Sequence, residues 1–160
     1  MEDLRYMRLA LSEARRAGRM GEVPVGAIVV AAAEPGGHSI LSRGHNLMIA
    51  RHAPTAHAEV VALRRAARRA RNYRLTGVTL YVTLEPCLLC LGAIAQARVS
   101  RIVYGAPDPK RGALAVASGR KVGALLHHKY RTTGGVLALE CSAILREFFR
   151  ARRLAPAGRP

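Results

Sequence analysis

The chain has no tryptophan, two phenylalanines, three cysteines and ten acidic residues in 160. No apolar run approaches the ~18 uncharged residues that a membrane-spanning helix needs, so no membrane segment is expected. The first residues include Glu2, Asp3 and Arg5, which does not read as a signal peptide. Three cysteines fit a reducing compartment, and a cytoplasmic protein is the expectation. The shortage of acid leaves 26 basic residues and a net charge of +16. Only three of those 26 are lysine; the remaining 23 are arginine. Such an excess points to a polyanionic partner, nucleic acid above all. The plainer alternative is arginine that merely solvates helix faces. Neither a repeat nor a second domain is visible: residues 1–154 read as one domain long enough to bury a core, and 155–160 as a disordered tail.

Against these absences stand two short segments, His57-Ala58-Glu59 and Pro86-Cys87-Leu88-Leu89-Cys90. The first offers an imidazole and a carboxylate. The second offers two thiols that one helical turn brings side by side. Three N/S ligands with an open fourth position describe a catalytic zinc site, whereas a structural site closes with a fourth protein ligand. Taken singly, the Cys-x-x-Cys could be a redox pair and Glu59 an acid favouring a first helical turn. Together, in this order, with 26 residues between Glu59 and Pro86, they match H-x-E…P-C-x-x-C, the signature of zinc nucleobase deaminases. His57, Cys87 and Cys90 are the expected metal ligands and Glu59 the proton carrier, with a bound water or hydroxide as fourth ligand of one Zn2+ per subunit.

Hydrophobic periodicity places these segments. Leu4 to Ala17 reads as an amphipathic helix with Leu4, Met7, Leu11 and Ala14 inward. Val25 to Val30 is a strand buried on both faces. Ala31 to His38, with Pro35-Gly36-Gly37, reads as a hairpin-type loop before a second strand from about Ser39 to His45. A helix from about Ala56 to Arg71 groups Val60, Leu63, Ala67 and Ala70 on one face, and Glu59 falls with them. A carboxylate aimed at the core has a raised pKa, toward the proton-shuttling range. Val78 to Leu84 is a third strand, and Cys87 to Ala97 a helix with Cys87, Cys90 and Ile94 on one stripe. Arg101 to Gly105 is a strand, Ala106 to Ser118 an irregular loop, Lys129 to Thr133 a short strand, and Val136 to Arg153 the last helix. The alternation of strand and helix implies parallel strands with crossover helices, with ligands beyond the strands' carboxyl ends. Adjacent His127 and His128 do not read as a second metal site, because strand neighbours point oppositely. Cys141 reads as a buried helix thiol.

With these residues in hand, the chain resembles the bacterial tRNA-specific adenosine deaminases almost end to end. Beyond the zinc signature the likeness includes Glu22-Val23-Pro24-Val25-Gly26-Ala27, Asn46, Arg51-His52 and Pro54 to Glu59. It continues through Asn72-Tyr73-Arg74-Leu75, Leu80 to Cys87, Gly105-Ala106, Asp108 and Phe148-Phe149-Arg150. The resemblance implies an α/β fold of the cytidine-deaminase-like kind, a three-layer α/β/α sandwich around a five-stranded mixed sheet. It also implies a homodimer, and deamination of adenosine to inosine at the wobble position in a tRNA anticodon stem-loop. By position, Asn46 would contact the base, Ala106 and Asp108 would lie by the anticodon loop, and Phe149, Arg150 and Arg153 would flank it.

Four residues depart from the family pattern: Ala53, Leu91, His127 and Leu139. None is a zinc ligand or Glu59, and Ala53 and His127 are expected near the RNA surface. Deaminases of free cytidine, deoxycytidylate or guanine share the zinc logic, but the nucleosides do not require so basic a surface. A zinc-stabilised nucleic-acid binder without activity would leave Glu59 idle.

Overall fold

The computed structural model describes residues 1–33 and 37–154. The order of elements is α1 (Glu2–Arg19), β1 (Gly26–Ala33), β2 (Gly37–His45), α2 (Ala58–Ala70), β3 (Thr79–Leu84), α3 (Leu88–Gln96), β4 (Arg101–Ala106), α4 (Leu114–Ala117), α5 (Arg120–Leu126), β5 (Arg131–Thr133) and α6 (Ala138–Leu154). Five strands form one mixed sheet in the order β2-β1-β3-β4-β5. No helix is long and apolar enough to cross a membrane among the described residues.

Alternation along each strand sorts side chains between two helix layers. Ala27 and Val29 of β1 join Leu80 and Val82 of β3 and Ile102 of β4 beneath α2 and α3. Ile28, Val30, Tyr81 and Val103 face the other way, toward Tyr6, Met7, Ala10 and Leu11 of α1 and Cys141 of α6. Enclosing each of the larger apolar side chains stabilises the fold by about 1.5–3 kcal/mol. Glycine sets the spacing at two crossings. A Cβ on Gly26 would collide with the α1 backbone at Ala10 and Ala14, and one on Gly44 with the α2 backbone at Ala58 and Ala62.

The expectation of parallel strands holds for only part of the sheet. β3, β4 and β5 run parallel, but β1 is antiparallel to both β2 and β3. The crossover through α2 therefore joins β2 and β3 with β1 lying between them. The segment expected as a long loop is mostly ladder: pairing continues to Ala33↔Gly37, so strand occupies all but residues 34–36, which lie outside the described residues, as does the expected tail. A register shift between Val29 and Val30 marks a bulge in β2. Helical structure also occupies 114–117 and 120–126, the first of which was expected as irregular loop.

Two helix faces differ from the periodicity reading. In α1 Tyr6 is buried while Leu4 is 40% exposed. In α2 the buried stripe is Ala58, Glu59, Val61, Ala62, Leu63 and Ala66, so of the expected apolar positions only Leu63 lies on it, and Val60, Ala67 and Ala70 lie off it. Alanine carries too little hydropathy to reveal a face, and close approach to Gly44 demands alanine there.

Candidate active site

Two helix N-termini converge at the carboxyl end of β3. His57 occupies the cap position before α2, with extended backbone (φ −67°, ψ 153°). Cys87 occupies the same position before α3 (φ −77°, ψ 172°), and Cys90 follows within the first turn. Helix N-termini favour negative charge, and so favour thiolate at both cysteines. The two sulfurs lie 3.7 Å apart. His57 Nδ1 is 3.7 Å from Cys87 Sγ and 3.3 Å from Cys90 Sγ. Zinc bonds of about 2.3 Å to sulfur and 2.0–2.1 Å to nitrogen, at tetrahedral angles, separate two sulfurs by about 3.8 Å and sulfur from nitrogen by about 3.6 Å. The donor set therefore fits zinc in both kind and spacing, and it is the one such His/Cys/Asp/Glu group among the described residues.

Charge within the trio is strongly redistributed. The Cys90 sulfur and the His57 ring pull the Cys87 thiol down to about 3. Cys87, together with burial, pushes Cys90 up, and Cys87 raises the His57 imidazole. A dication binding here brings both sulfurs to thiolate. Glu59, two residues beyond His57, is only 4% exposed, and burial raises its pKa. The carboxyl is thus suited to holding and releasing a proton rather than to standing as a fixed charge.

The trio opens into a cleft of about 1060 Å3. Asn46, His57, Glu59 and Cys87 line it, together with Asp108, Phe149, Arg150 and Arg153, which the family resemblance implied. Phe149 is 43% exposed and meets Phe148 edge-on at 5.4 Å. Phe148 does not anchor α6 in the core: it is half-buried, and Arg152 stacks over it at 4.8 Å. The anchor is Cys141, 1% exposed, whose thiol burial pushes up to about 11.

Two expected residues sit elsewhere than in the cleft wall. Cys90 lies behind Cys87, fully buried. Ala106 is 2% exposed and packs with Tyr81 and Val103; its carbonyl accepts the Glu85 N–H at 2.9 Å. Asn46 lines the cleft, yet much of its amide is already committed. Its Oδ1 accepts the Ala58 N–H at 2.8 Å and its Nδ2 donates to the Val23 carbonyl at 2.9 Å. Asn46 therefore clamps the first residue of the helix that carries Glu59. Of the departures, Leu91 is buried in the core and Ala53 packs beside Leu47, Ala56 and Val61. His127 ends α5 in a left-handed conformation (φ 47°), and its carbonyl accepts from Arg98. Neither Ala53 nor His127 lines the cleft. His128 bonds the Val99 carbonyl through Nε2 at 2.6 Å.

Sequence reasoning passed over Glu85. Its Oε2 accepts the Asp108 N–H at 3.2 Å and its Oε1 the Leu114 N–H at 3.3 Å, so one carboxylate ties both ends of the 108–114 segment to the base of the zinc turn. Asp108 Oδ1 then accepts the N–H groups of Lys110 and Arg111, each at 3.0 Å. The available signal was a carboxylate directly before Pro86-Cys87. Glu22, like Glu85 within a segment matching the family, is fully buried and its Oε1 accepts the Ala50 N–H at 2.8 Å.

Comparison with known proteins agrees with this geometry. Residues 1–106 match the family described as the cytidine and deoxycytidylate deaminase zinc-binding region. A tRNA-specific adenosine deaminase of Haemophilus influenzae is 46% identical over 151 residues, covering 94% of this chain and 85% of the relative. One from Bacillus subtilis is 40% identical over 152 residues, covering 95% and 91%. A structure solved in a study of A-to-I editing by tRNA:A34 deaminases superposes with a TM-score of 0.78 at 41% identity, covering 88% of this chain and 99% of that one. A guanine deaminase from Nitrosomonas europaea reaches a TM-score of 0.74 at 23% identity, a likeness of fold alone. Sequence and fold together assign the chain to the tRNA-specific adenosine deaminases, within the cytidine and deoxycytidylate deaminase zinc-binding family.

Proposed function

We propose that this protein hydrolyses adenosine to inosine and ammonia at the wobble position of tRNA. The observation that carries the reading is one cleft holding the zinc donor trio, a buried carboxyl and a basic rim with an exposed aromatic ring. His57 Nδ1 and the sulfurs of Cys87 and Cys90 would hold one zinc ion per chain. When bound, zinc supplies a Lewis acid that lowers the pKa of a water to about 7.

Glu59 accepts a proton from the water that adds at C6 of the purine and passes it to ring nitrogen N1. It then serves the departing amine, so that water and adenosine become inosine and ammonia. Asn46 fixes the start of the helix bearing Glu59 and keeps one N–H and one lone pair for the base. Phe149 offers a face for stacking an unpaired base, and Arg150 and Arg153 offer forked donors to phosphate. Asp108 borders the anticodon loop, while Ala106, buried beneath, holds the Glu85 backbone through its carbonyl. The target base has to leave its stack to reach Glu59, which is easiest in a single-stranded loop.

The working form is a cytoplasmic homodimer. Leu88 and Leu89, flanked by the two metal cysteines, are 57% and 45% exposed, and an apolar surface beside the site suits burial against a second copy. Light scattering at low micromolar concentration tests this: a monomer mass with activity retained rejects a required dimer.

Incubation of the zinc-loaded protein with adenosine, cytidine, guanine and an anticodon stem-loop tests the main reading. Inosine in the stem-loop is expected. Uridine or xanthine from the free compounds, without inosine in RNA, overturns it.

A further inference from the structure

A second basic surface lies away from the cleft, on the open edge of the sheet. Arg16 of α1, Arg43 of β2, and Arg65 and Arg69 of α2 line a depression of about 600 Å3 with Ile40, Leu41 and Ser42. All four arginines are exposed. The one acid in the wall, Glu13, is buried and bound to His45 at 2.8 Å, so it is already committed. None of the four arginines enters an ion pair among the described residues.

Part of this arrangement protects the sheet. Arg65 donates to the Arg43 carbonyl at 2.8 Å and Arg69 more loosely to the Leu41 carbonyl at 3.5 Å, which blunts an open edge strand. Each bond engages one of five guanidinium N–H groups. The side chains of Arg16 and Arg43 make no hydrogen bond among the described residues, so edge protection does not account for them. Four like charges around one depression repel each other unless a polyanion offsets them.

The depression and the cleft share no lining residue, but exposed arginines lie between them. Arg150 and Arg153 line the cleft. Between them in sequence, Arg152 donates to the Gly21 carbonyl at 2.8 Å, just past the end of α1. Arg19 and Arg16 are exposed on the last turns of that helix, and Arg16 enters the depression. Within α2, Arg65 lies six residues beyond Glu59, about 9 Å along the helix axis. A strand whose base is drawn down to Glu59 therefore has its flanks within reach of these charges. The lining has no aromatic side chain, whereas single strands are held on stacking platforms. Phosphates of a duplex, read without base contact, are what such a surface fits.

Building on the tRNA reading, we propose that the depression formed by Arg16, Arg43, Arg65 and Arg69 is a second RNA-binding surface, taking the phosphate backbone of the paired stem that continues from the loop held in the cleft. It contributes affinity and leaves the chemical step alone.

The test uses two double variants of the zinc-loaded protein, Arg16→Gln with Arg43→Gln and Arg65→Gln with Arg69→Gln. The first pair leaves the edge hydrogen bonds intact, so folding cannot explain its phenotype. Binding of a full-length tRNA with adenosine at the first anticodon position is measured from about 50 to 200 mM salt. Each phosphate contact on duplex contributes about 0.9 to the slope of log affinity against log salt. Both variants are expected to flatten the slope by roughly one to two, to raise KM at least several-fold and to keep kcat. An unchanged slope and KM in the Arg16/Arg43 variant overturns the proposal. So does a loss of thermal stability in the Arg65/Arg69 variant with both slopes intact, which leaves edge protection as the only role. Wild-type protein that deaminates this RNA while the variants keep its slope removes the second surface and preserves the reading of the cleft. Wild-type protein that deaminates a free nucleoside and ignores the RNA removes both.

Discussion

Arg101, the first residue of β4, grips Asp3 in the first turn of α1 with both arms of its guanidinium, at 2.9 and 2.7 Å. Tyr81 of β3 donates to the same carboxylate at 2.9 Å, and Arg101 reaches Thr133 of β5 at 3.0 Å. One acid thus joins a helix to two adjacent strands, and Arg101 carries the link to a third. The guanidinium holds the Asp3 carboxyl below its ordinary value. Its contribution is therefore complete above about pH 4, the unfolded value, and is lost as pH falls through the lower folded value. The pair is partly exposed, which limits its worth. Asp3→Asn is expected to cost about 1 kcal/mol near neutrality. Thermal melts of both proteins from about pH 7 down to pH 3 should show the gap closing at the acid end; a gap independent of pH contradicts the assignment.

Glu59→Gln keeps the shape of the side chain and removes its ability to carry a proton. Zinc content and thermal unfolding are expected to stay at wild-type levels, while single-turnover deamination falls by about 10²- to 10⁴-fold. Activity within a few-fold of wild type removes Glu59 from proton transfer.

Cys87→Ala breaks the donor trio at a helix cap. Loss of bound zinc and a lower melting temperature are expected together, because metal binding to a site absent in the unfolded chain adds to folding free energy. Metal analysis beside calorimetry checks it. Full zinc retention means that the three donors found together are not the ligand set.

The effect of Glu85→Gln is predicted to be mechanical. Glutamine accepts through only one oxygen and turns its NH2 toward a backbone N–H, so one end of the 108–114 segment is released. Zinc content is expected to hold, KM for the stem-loop to rise about ten-fold, and the amides of Asp108 and Leu114 to exchange hydrogen faster. Protected amides with normal KM dismiss the tether.

For the cleft rim, Arg150→Gln with Arg153→Gln is expected to flatten the salt dependence of stem-loop binding by roughly one, given about 0.7 per phosphate on a single strand. Melting temperature and zinc content should not move, since both side chains are exposed. An unaltered slope places the RNA elsewhere in the cleft, beside the Asp108 loop and Asn46.

The donor set was legible in the chain because its geometry is local. One helical turn brings Cys87 and Cys90 together, and His57 and Glu59 are two residues apart. The family likeness supplied the mixed sheet and five further residues that line the cleft with the motif: Asn46, Asp108, Phe149, Arg150 and Arg153. The connection across the sheet was only partly legible. The hairpin-type loop announces that β1 and β2 pair antiparallel, but strand-helix alternation reads as parallel pairing beyond them, and nothing in the order of segments announces that β1 also pairs antiparallel with β3. Nor does alanine declare a face, so the stripe of α2 that packs against Gly44 emerged only with the packing.

What the sequence determined by itself was chemistry: two thiols, an imidazole and a carboxyl at spacings that suit zinc and a proton. What tertiary structure decided was the work of Asn46 and Glu85, both polar groups whose partners lie 12 to 29 residues away. Hydrogen bonds of that kind depend on which backbone N–H groups are brought near and left without a helical or ladder partner. That is settled by how the two helix N-termini and the 108–114 segment meet at the end of β3, because a buried donor without an acceptor costs more than the loop's own preferences can offset.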